Sequence, residues 1–176
     1  ETIRNFGKSY RDAKLVHRLD KDTSGCQVIA KNNKFLRNCN KLISERKVKK
    51  TYQAIVHGNW IHKDGIYEIN IEKNMLIGKE RMVRISDGGK IAKTFFKVIE
   101  SSKHFSLIQC ELITGRTHQL RVHLSELGFP IVGDKKYGIK ENKLPTSSGY
   151  KKRMYLHANS FISKDLNIHI NVKPPK

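Results

Sequence analysis

The stretch "RMVRISDGGKIAKTFFKVIESSKHFSLIQCELI", residues 81–113, sets three strand-like runs one after another with no helical spacing between them. "RMVRI" (81–85), "KTFFKVIE" (93–100) and "FSLIQCELI" (105–113) are rich in β-branched and aromatic residues, which suit a pleated, half-buried surface. "SDGGK" (86–90) supplies a turn between the first two. Outward from this centre the pattern continues. "KTYQAIVHG" (50–58) reads as a strand ending at Gly58, and "GCQVIAK" (25–31) as a loosely alternating one. "LNIHINV" (166–172) alternates cleanly, with Leu166, Ile168, Ile170 and Val172 on one face and Asn167, His169 and Asn171 on the other. Two stretches have helical spacing instead. Phe35, Cys39, Leu42 and Ile43 share a face, with Lys34, Arg37 and Lys41 turned away and Asn32 or Asn33 as the start cap. Leu120, Leu124 and Leu127 define a second helix, stopped by Gly128 with Pro130 just beyond. Strands outnumber helices and come in runs, so the expectation is an α+β fold and not a regular βαβ alternation. "KENKLPTSSGYKK" (140–152) reads as a flexible loop.

The 176 residues are 38% hydrophobic, enough for one domain with its own core. Charge is the unusual property. Thirty-five Lys and Arg against 16 Asp and Glu leave +19, and residues 1–50 alone carry 14 basic against five acidic side chains. Such an excess attracts phosphate polymers, whose binding gains from counterion release. A nucleic-acid partner is therefore expected, in preference to a merely solvated basic surface. No apolar run approaches the ~20 residues that span a bilayer, and no signal-peptide pattern is visible. Cys26, Cys39 and Cys110 form no CxxC pair, which fits a reducing, cytoplasmic setting.

Among residues able to do chemistry, the eight histidines fall in no metal-ligand pattern. His118 and His123, five apart on a helix, would diverge by about 140°. There is no GxxxxGK[ST] loop, no GxGxxG after a strand, and no nucleophile elbow. Polar turn residues remain. In "DKDTSG" (20–25), Asp22, Thr23 and Ser24 suit a tight turn before a strand, while Asp20 precedes the turn and is free either to serve it or to point into a cleft. In "TGRTHQLRVHLSELG" (114–128), Arg116, His118 and Gln119 fall at the start of the helix, where backbone N–H groups and the dipole favour phosphate. Arg121 sits among Leu120, Val122 and Leu124. Spacing alone fits an exposed Arg121 as well as a buried one, and a buried one needs a carboxylate partner.

Four stretches together resemble the RluA/RluC family of pseudouridine synthases: "HRLDKDTSG" (17–25), "KTYQAIVHG" (50–58), "GRTHQLRVHLSELGFPIVGDKKYG" (115–138) and "RMYLHA" (153–158). They occur in the family's order and span nearly the whole chain. "GKERMVRISDGGKIAKTFFKV" (78–98) is most similar to the RluC branch, which acts on large-subunit (23S) ribosomal RNA. The resemblance implies a mixed, mostly antiparallel sheet flanked by helices and loops around a central RNA-binding cleft. It implies isomerisation of uridine to pseudouridine without cofactor or metal, by a monomer. By motif, Asp20 takes the place of the catalytic carboxylate, Tyr52 that of the base-stacking tyrosine, and Arg121 that of the arginine paired with the Asp. Leu156 corresponds to the apolar wall of the uracil pocket, with His17 and Arg18 flanking the nucleotide. Family catalytic domains begin earlier, with an "NKPSG"-like strand and often a small RNA-binding domain before it. Residues 1–176 are thus expected to be one catalytic domain, incomplete at its N-terminus.

A carboxylate in so basic a region then makes sense, since the cations hold phosphates while the acid acts on the sugar between them. A uridine within folded RNA must first be flipped out, at a cost of a few kcal/mol. Two other readings are a non-catalytic RNA-binding or ribosome-assembly protein and a nucleoside hydrolase. The latter class generally needs two flanking carboxylates, and only Asp20 is placed by a motif.

Overall fold

A computed structural model of the chain describes residues 13–77, 80–139 and 153–175, so the expected loop at 140–152 lies outside the described residues. The elements follow in the order β1 (Lys14–Leu15), β2 (Ser24–Gly25), β3 (Ile29–Ala30), α1 (Asn33–Ser44), β4 (Lys49–His57), β5 (Gly65–Ile77), β6 (Glu80–Ile85), β7 (Lys90–Ser101), β8 (Phe105–Leu112), α2 (Gln119–Glu126), β9 (Leu156–Ser163) and β10 (Ile168–Asn171). β1 and β3 form a small antiparallel ribbon. The remaining strands make one mixed sheet in the order β10-β9-β4-β8-β7-β5-β6, with β2 attached to β9 in the parallel sense. The fold is α+β, as the run of strands predicts.

Period-two alternation sets which face is buried. Tyr52, Ala54 and Val56 of β4, Phe96 of β7, and Ile108 and Cys110 of β8 point into one core, which Leu120 and Leu124 of α2 cover. Leu124 and Phe96 are fully buried, each contributing roughly 1.5–3 kcal/mol by removal from water. On a second core, α1 buries Cys39 against Val28, Ala30 and Phe161. Its start is fixed by Asn32, whose Oδ1 accepts from Phe35 N–H at 2.8 Å. Gly128 ends the segment after α2 at φ +85°, a left-handed conformation that favours glycine.

One sequence expectation changes and another gains detail. "GCQVIAK" is not one strand. Gly25 pairs with Ala158 and Cys26 N–H donates to Ala158 O, whereas Ile29 and Ala30 pair with β1, so the chain leaves one partner for another within four residues. "SDGGK" forms the expected turn between β6 and β7, which do not pair with each other. β6 and β7 both pair with β5, β7 along Gly65–Ile71 and β6 along Ile71–Ile77. The turn carries the chain past β5 at Ile71. A Cβ on Gly89 would lie 2.7 Å from the Ile71 carbonyl carbon, so glycine is needed for the close approach.

Gly25 does the corresponding work beside the site. It has φ +114°, and a Cβ there would lie 2.2 Å from Ala158 O. Its pairing with β9 anchors the segment that carries Asp20.

Candidate active site

The segment before β2 directs its side chains to different places. His17 stacks on Phe161, with ring centroids 5.3 Å apart, and its Nε2 accepts from Val28 N–H at 3.2 Å. Arg18 is exposed, Leu19 packs against the main core, and Asp20 is left with its carboxylate in a groove. Thr23 N–H donates to Asp20 O at 3.0 Å, closing the turn expected of "DKDTSG". Ser24 Oγ lies 2.9 Å from His157 Nδ1, a structural role, as expected for that turn.

The groove encloses about 860 Å³ and is bordered by Arg18, Asp20, Lys50, Tyr52, His118 and Leu156, among others. It therefore gathers all nine residues singled out from the sequence: His17, Arg18, Asp20, Tyr52, Arg116, His118, Gln119, Arg121 and Leu156. They are not equivalent. Gln119 is buried, and its amide is used within the protein. Oε1 accepts from Thr114 Oγ1 and Arg116 N–H at 2.8 and 2.9 Å, while Nε2 donates to Lys93 O and Thr94 Oγ1 at 2.9 and 3.0 Å. It shapes the turn into α2 and has no free group for a phosphate. Arg116 is exposed, with Nε donating to Ile91 O at 3.2 Å.

Arg121 is buried on the inner face of α2. Its nearest partner is one that sequence reasoning missed. Nε and Nη2 donate to Oδ2 and Oδ1 of Asp134, both at 2.7 Å, in a bidentate pair with a fully buried carboxylate side chain. The remaining nitrogen, Nη1, lies 3.4 Å from Asp20 Oδ2. One guanidinium thus spans two carboxylates. Burial opposes the charge on Arg121, yet Asp134 and then Asp20 outweigh it and hold its pKa above the ordinary range. Burial likewise opposes the Asp134 carboxylate, but Arg121 and the backbone N–H groups of Tyr137 and Lys136 pull its pKa below the usual value.

Tyr52 is buried, with its pKa pushed up to about 12 by burial first and by Asp20 and Cys26 after it. It therefore carries its proton at neutral pH. β9 has one extra residue opposite β4, Asn159, between the pairs Thr51↔Ser160 and Tyr52↔Ala158. Such bulges commonly re-aim side chains next to active sites. Leu156, three residues before it, is buried against the same core and borders the groove. Lys50 is half-buried in the groove wall, and no carboxylate of the described residues pairs with it, whereas Lys49 has Glu111 at 2.6 Å. Among the described residues, no three His, Cys, Asp or Glu side chains are grouped closely enough to hold a metal ion.

The fold thus gathers a carboxylate, a buried arginine and a protonated tyrosine in one cation-lined groove. The profile described as RNA pseudouridylate synthase matches residues 1–126, a span holding Asp20, Tyr52 and Arg121, and the chain belongs to that family. Over 160 residues it is 39% identical to the ribosomal large subunit pseudouridine synthase C of Salmonella typhi, a match covering 90% of this chain and 50% of the relative. The chain thus spans about half the length of the curated relatives it matches. Among solved structures it is similar to human RNA Pseudouridylate Synthase Domain Containing 1, with a TM-score of 0.80 at 27% identity over 99% of this chain and 74% of that one. Human RNA Pseudouridylate Synthase Domain Containing 4 gives a TM-score of 0.77 at 30% identity over 93% of this chain and 72% of that one.

Proposed function

We propose that the protein converts uridine to pseudouridine in RNA, with large-subunit ribosomal RNA as substrate, and that residues 1–176 belong to its catalytic domain. The observation that carries this reading is the placement of Asp20 in the groove, 3.4 Å from a guanidinium that Asp134 holds rigidly from behind. The relatives named for the ribosomal large subunit supply the substrate class. The net charge of +19 supplies the attraction for a polyanion.

In this reading the target uridine is everted into the groove, and Arg18 fills the space it leaves. Tyr52 stacks on the base, an interaction worth about 1–3 kcal/mol in single-strand binders, and Leu156 forms the apolar wall of the base pocket. Asp20 acts on the ribose, as nucleophile at C1′ or as base at the 2′ hydrogen. The glycosidic bond to N1 breaks, the base turns, C5 joins C1′ and gives up its hydrogen as a proton, and N1 takes up a proton. The net reaction is an isomerisation, so it consumes no oxidant or energy carrier. A protonated Tyr52 fits stacking and proton donation better than service as a phenolate base. In this reading the protein acts as a monomer in the cytoplasm.

The test is incubation with unmodified ribosomal RNA, followed by carbodiimide treatment and primer extension. New stops at defined uridines support the proposal. Tight RNA binding with no new stop would favour a non-catalytic assembly protein, and release of free uracil a hydrolase.

A further inference from the structure

His118 occupies the position just before α2 with φ +53°, a left-handed conformation that a β-carbon disfavours. Its side chain does not cap the helix it precedes. The ring lies instead between two groups, with Nδ1 2.8 Å from Tyr137 Oη and Nε2 4.0 Å from Asp20 Oδ1. Strain of this kind persists where surrounding structure over-determines it, and such places cluster at functional sites.

The partners favour one set of proton positions. Tyr137 Oη already accepts from Val83 N–H at 3.0 Å, so its own hydrogen is available to His118 Nδ1. Nδ1 is then an acceptor, and in a neutral ring the hydrogen sits on Nε2. The facing Asp20 carboxylate accepts and does not donate, which favours the same tautomer. Burial, with Arg121 and Lys136, outweighs Asp20 and Asp134 and keeps the ring below its ordinary protonation range. Asp134 also ties this arrangement to Arg121. Its Oδ1 accepts from Tyr137 N–H at 3.1 Å, and the Arg121 guanidinium lies 5.0 Å from the Tyr137 ring centre.

We propose that His118 is a positioning residue for Asp20, its tautomer set by Tyr137 so that Nε2–H faces Oδ1 while Arg121 faces Oδ2. Each carboxylate oxygen then has its own donor, which fixes the rotation of the group as well as its place. At 4.0 Å the Nε2 contact is longer than a hydrogen bond, and the proposal requires it to shorten with nucleotide bound, since catalytic contacts commonly tighten in the substrate complex. The inference rests on the reading of Asp20 as the reacting group.

The experiment compares His118→Ala, His118→Gln and Asp20→Asn with wild type by single-turnover pseudouridine formation at saturating RNA, together with RNA affinity and thermal midpoint. A hydrogen bond to a charged group of ordinary strength predicts that His118→Ala slows the step about 10–100-fold. RNA affinity should stay within about twofold. Glutamine, whose amide N–H can reach the Nε2 position, should restore most of the rate. Histidine-¹⁵N spectra of wild type should show His118, identified by its loss in His118→Gln, protonated on Nε2. A proton on Nδ1, a His118→Ala rate within twofold of wild type, or equal loss in both variants with a lowered midpoint would each overturn the proposal. Undiminished turnover by Asp20→Asn would instead overturn the reading of Asp20 itself.

Discussion

Replacing Asp134 with asparagine tests the internal logic of the site without touching a group in contact with substrate. Asp134 is 4% exposed and makes both short bonds to Arg121, whose own side chain is 9% exposed. Asparagine keeps the size and still accepts from the Lys136 and Tyr137 N–H groups, but it removes the charge and sets an amide NH₂ against the guanidinium. Losing one partner of a buried ion pair typically costs about 3–5 kcal/mol, because the other charge stays buried and uncompensated. For a chain of this length each kcal/mol corresponds to about 2–4 °C, so the thermal midpoint should fall by about 6–20 °C. The effect has a defined pH window. The folded-state pKa of Asp134 lies below its ordinary value, so its stabilisation is fully present above the unfolded pKa near 3.9 and is lost as pH falls through the lower folded value. Thermal unfolding at pH 7 and at successively lower pH values measures both effects. A midpoint within about 2 °C of wild type at neutral pH would refute the claim that Asp134, and not Asp20, carries Arg121.

Other perturbations separate the parts of the account. His123 is fully buried with its pKa lowered to about 4 by burial, so stability should decline as pH drops from about 6.5 through 4, by up to about 3 kcal/mol. His123→Gln should flatten that slope in denaturant titrations, and an unchanged slope would reject the assignment. Gly25→Ala forces a left-handed backbone on alanine and a Cβ into Ala158 O, so it should cost more than about 1 kcal/mol and displace Asp20, lowering turnover more than RNA affinity. Wild-type stability in that variant would show that the β2–β9 pairing is not the anchor. Lys50→Gln should reduce the slope of log affinity against log salt by about 0.7–0.9, the value for one phosphate contact. An unaltered slope would mean that Lys50 does not face the RNA backbone.

How much of this was legible beforehand depends on the kind of signal. The strands at 50–58 and 81–113 follow from alternation, because one face of each is buried, and the Asn32 cap follows from residue type. "GCQVIAK" misled because two short strands on different partners leave the same loose alternation as one. "SDGGK" signalled its turn, but glycines permit a hairpin and a close backbone crossing equally well, and only Ile71 decides between them. Spacing left Arg121 as readily exposed as buried, and the family resemblance pointed to Asp20 as its partner. Asp134 lay in a motif already noted, "GDKKYG", and its oxygen accepting from N–H groups two and three residues on is a local turn pattern a sequence can suggest. The burial that makes it the main partner is tertiary. Gln119 has the composition of a phosphate ligand and becomes a structural brace because Lys93 and Thr94, far away in sequence, occupy its amide.

The central claim is that the carboxylate of residue 20 performs the chemistry in a groove the rest of the chain builds around RNA. Tritium release from 5-³H-uridine-labelled ribosomal RNA measures it directly, comparing wild type with Asp20→Asn at matched RNA occupancy. The account predicts steady release by wild type and none above background by the variant, with RNA affinity largely retained. Release by Asp20→Asn at near the wild-type rate would contradict it.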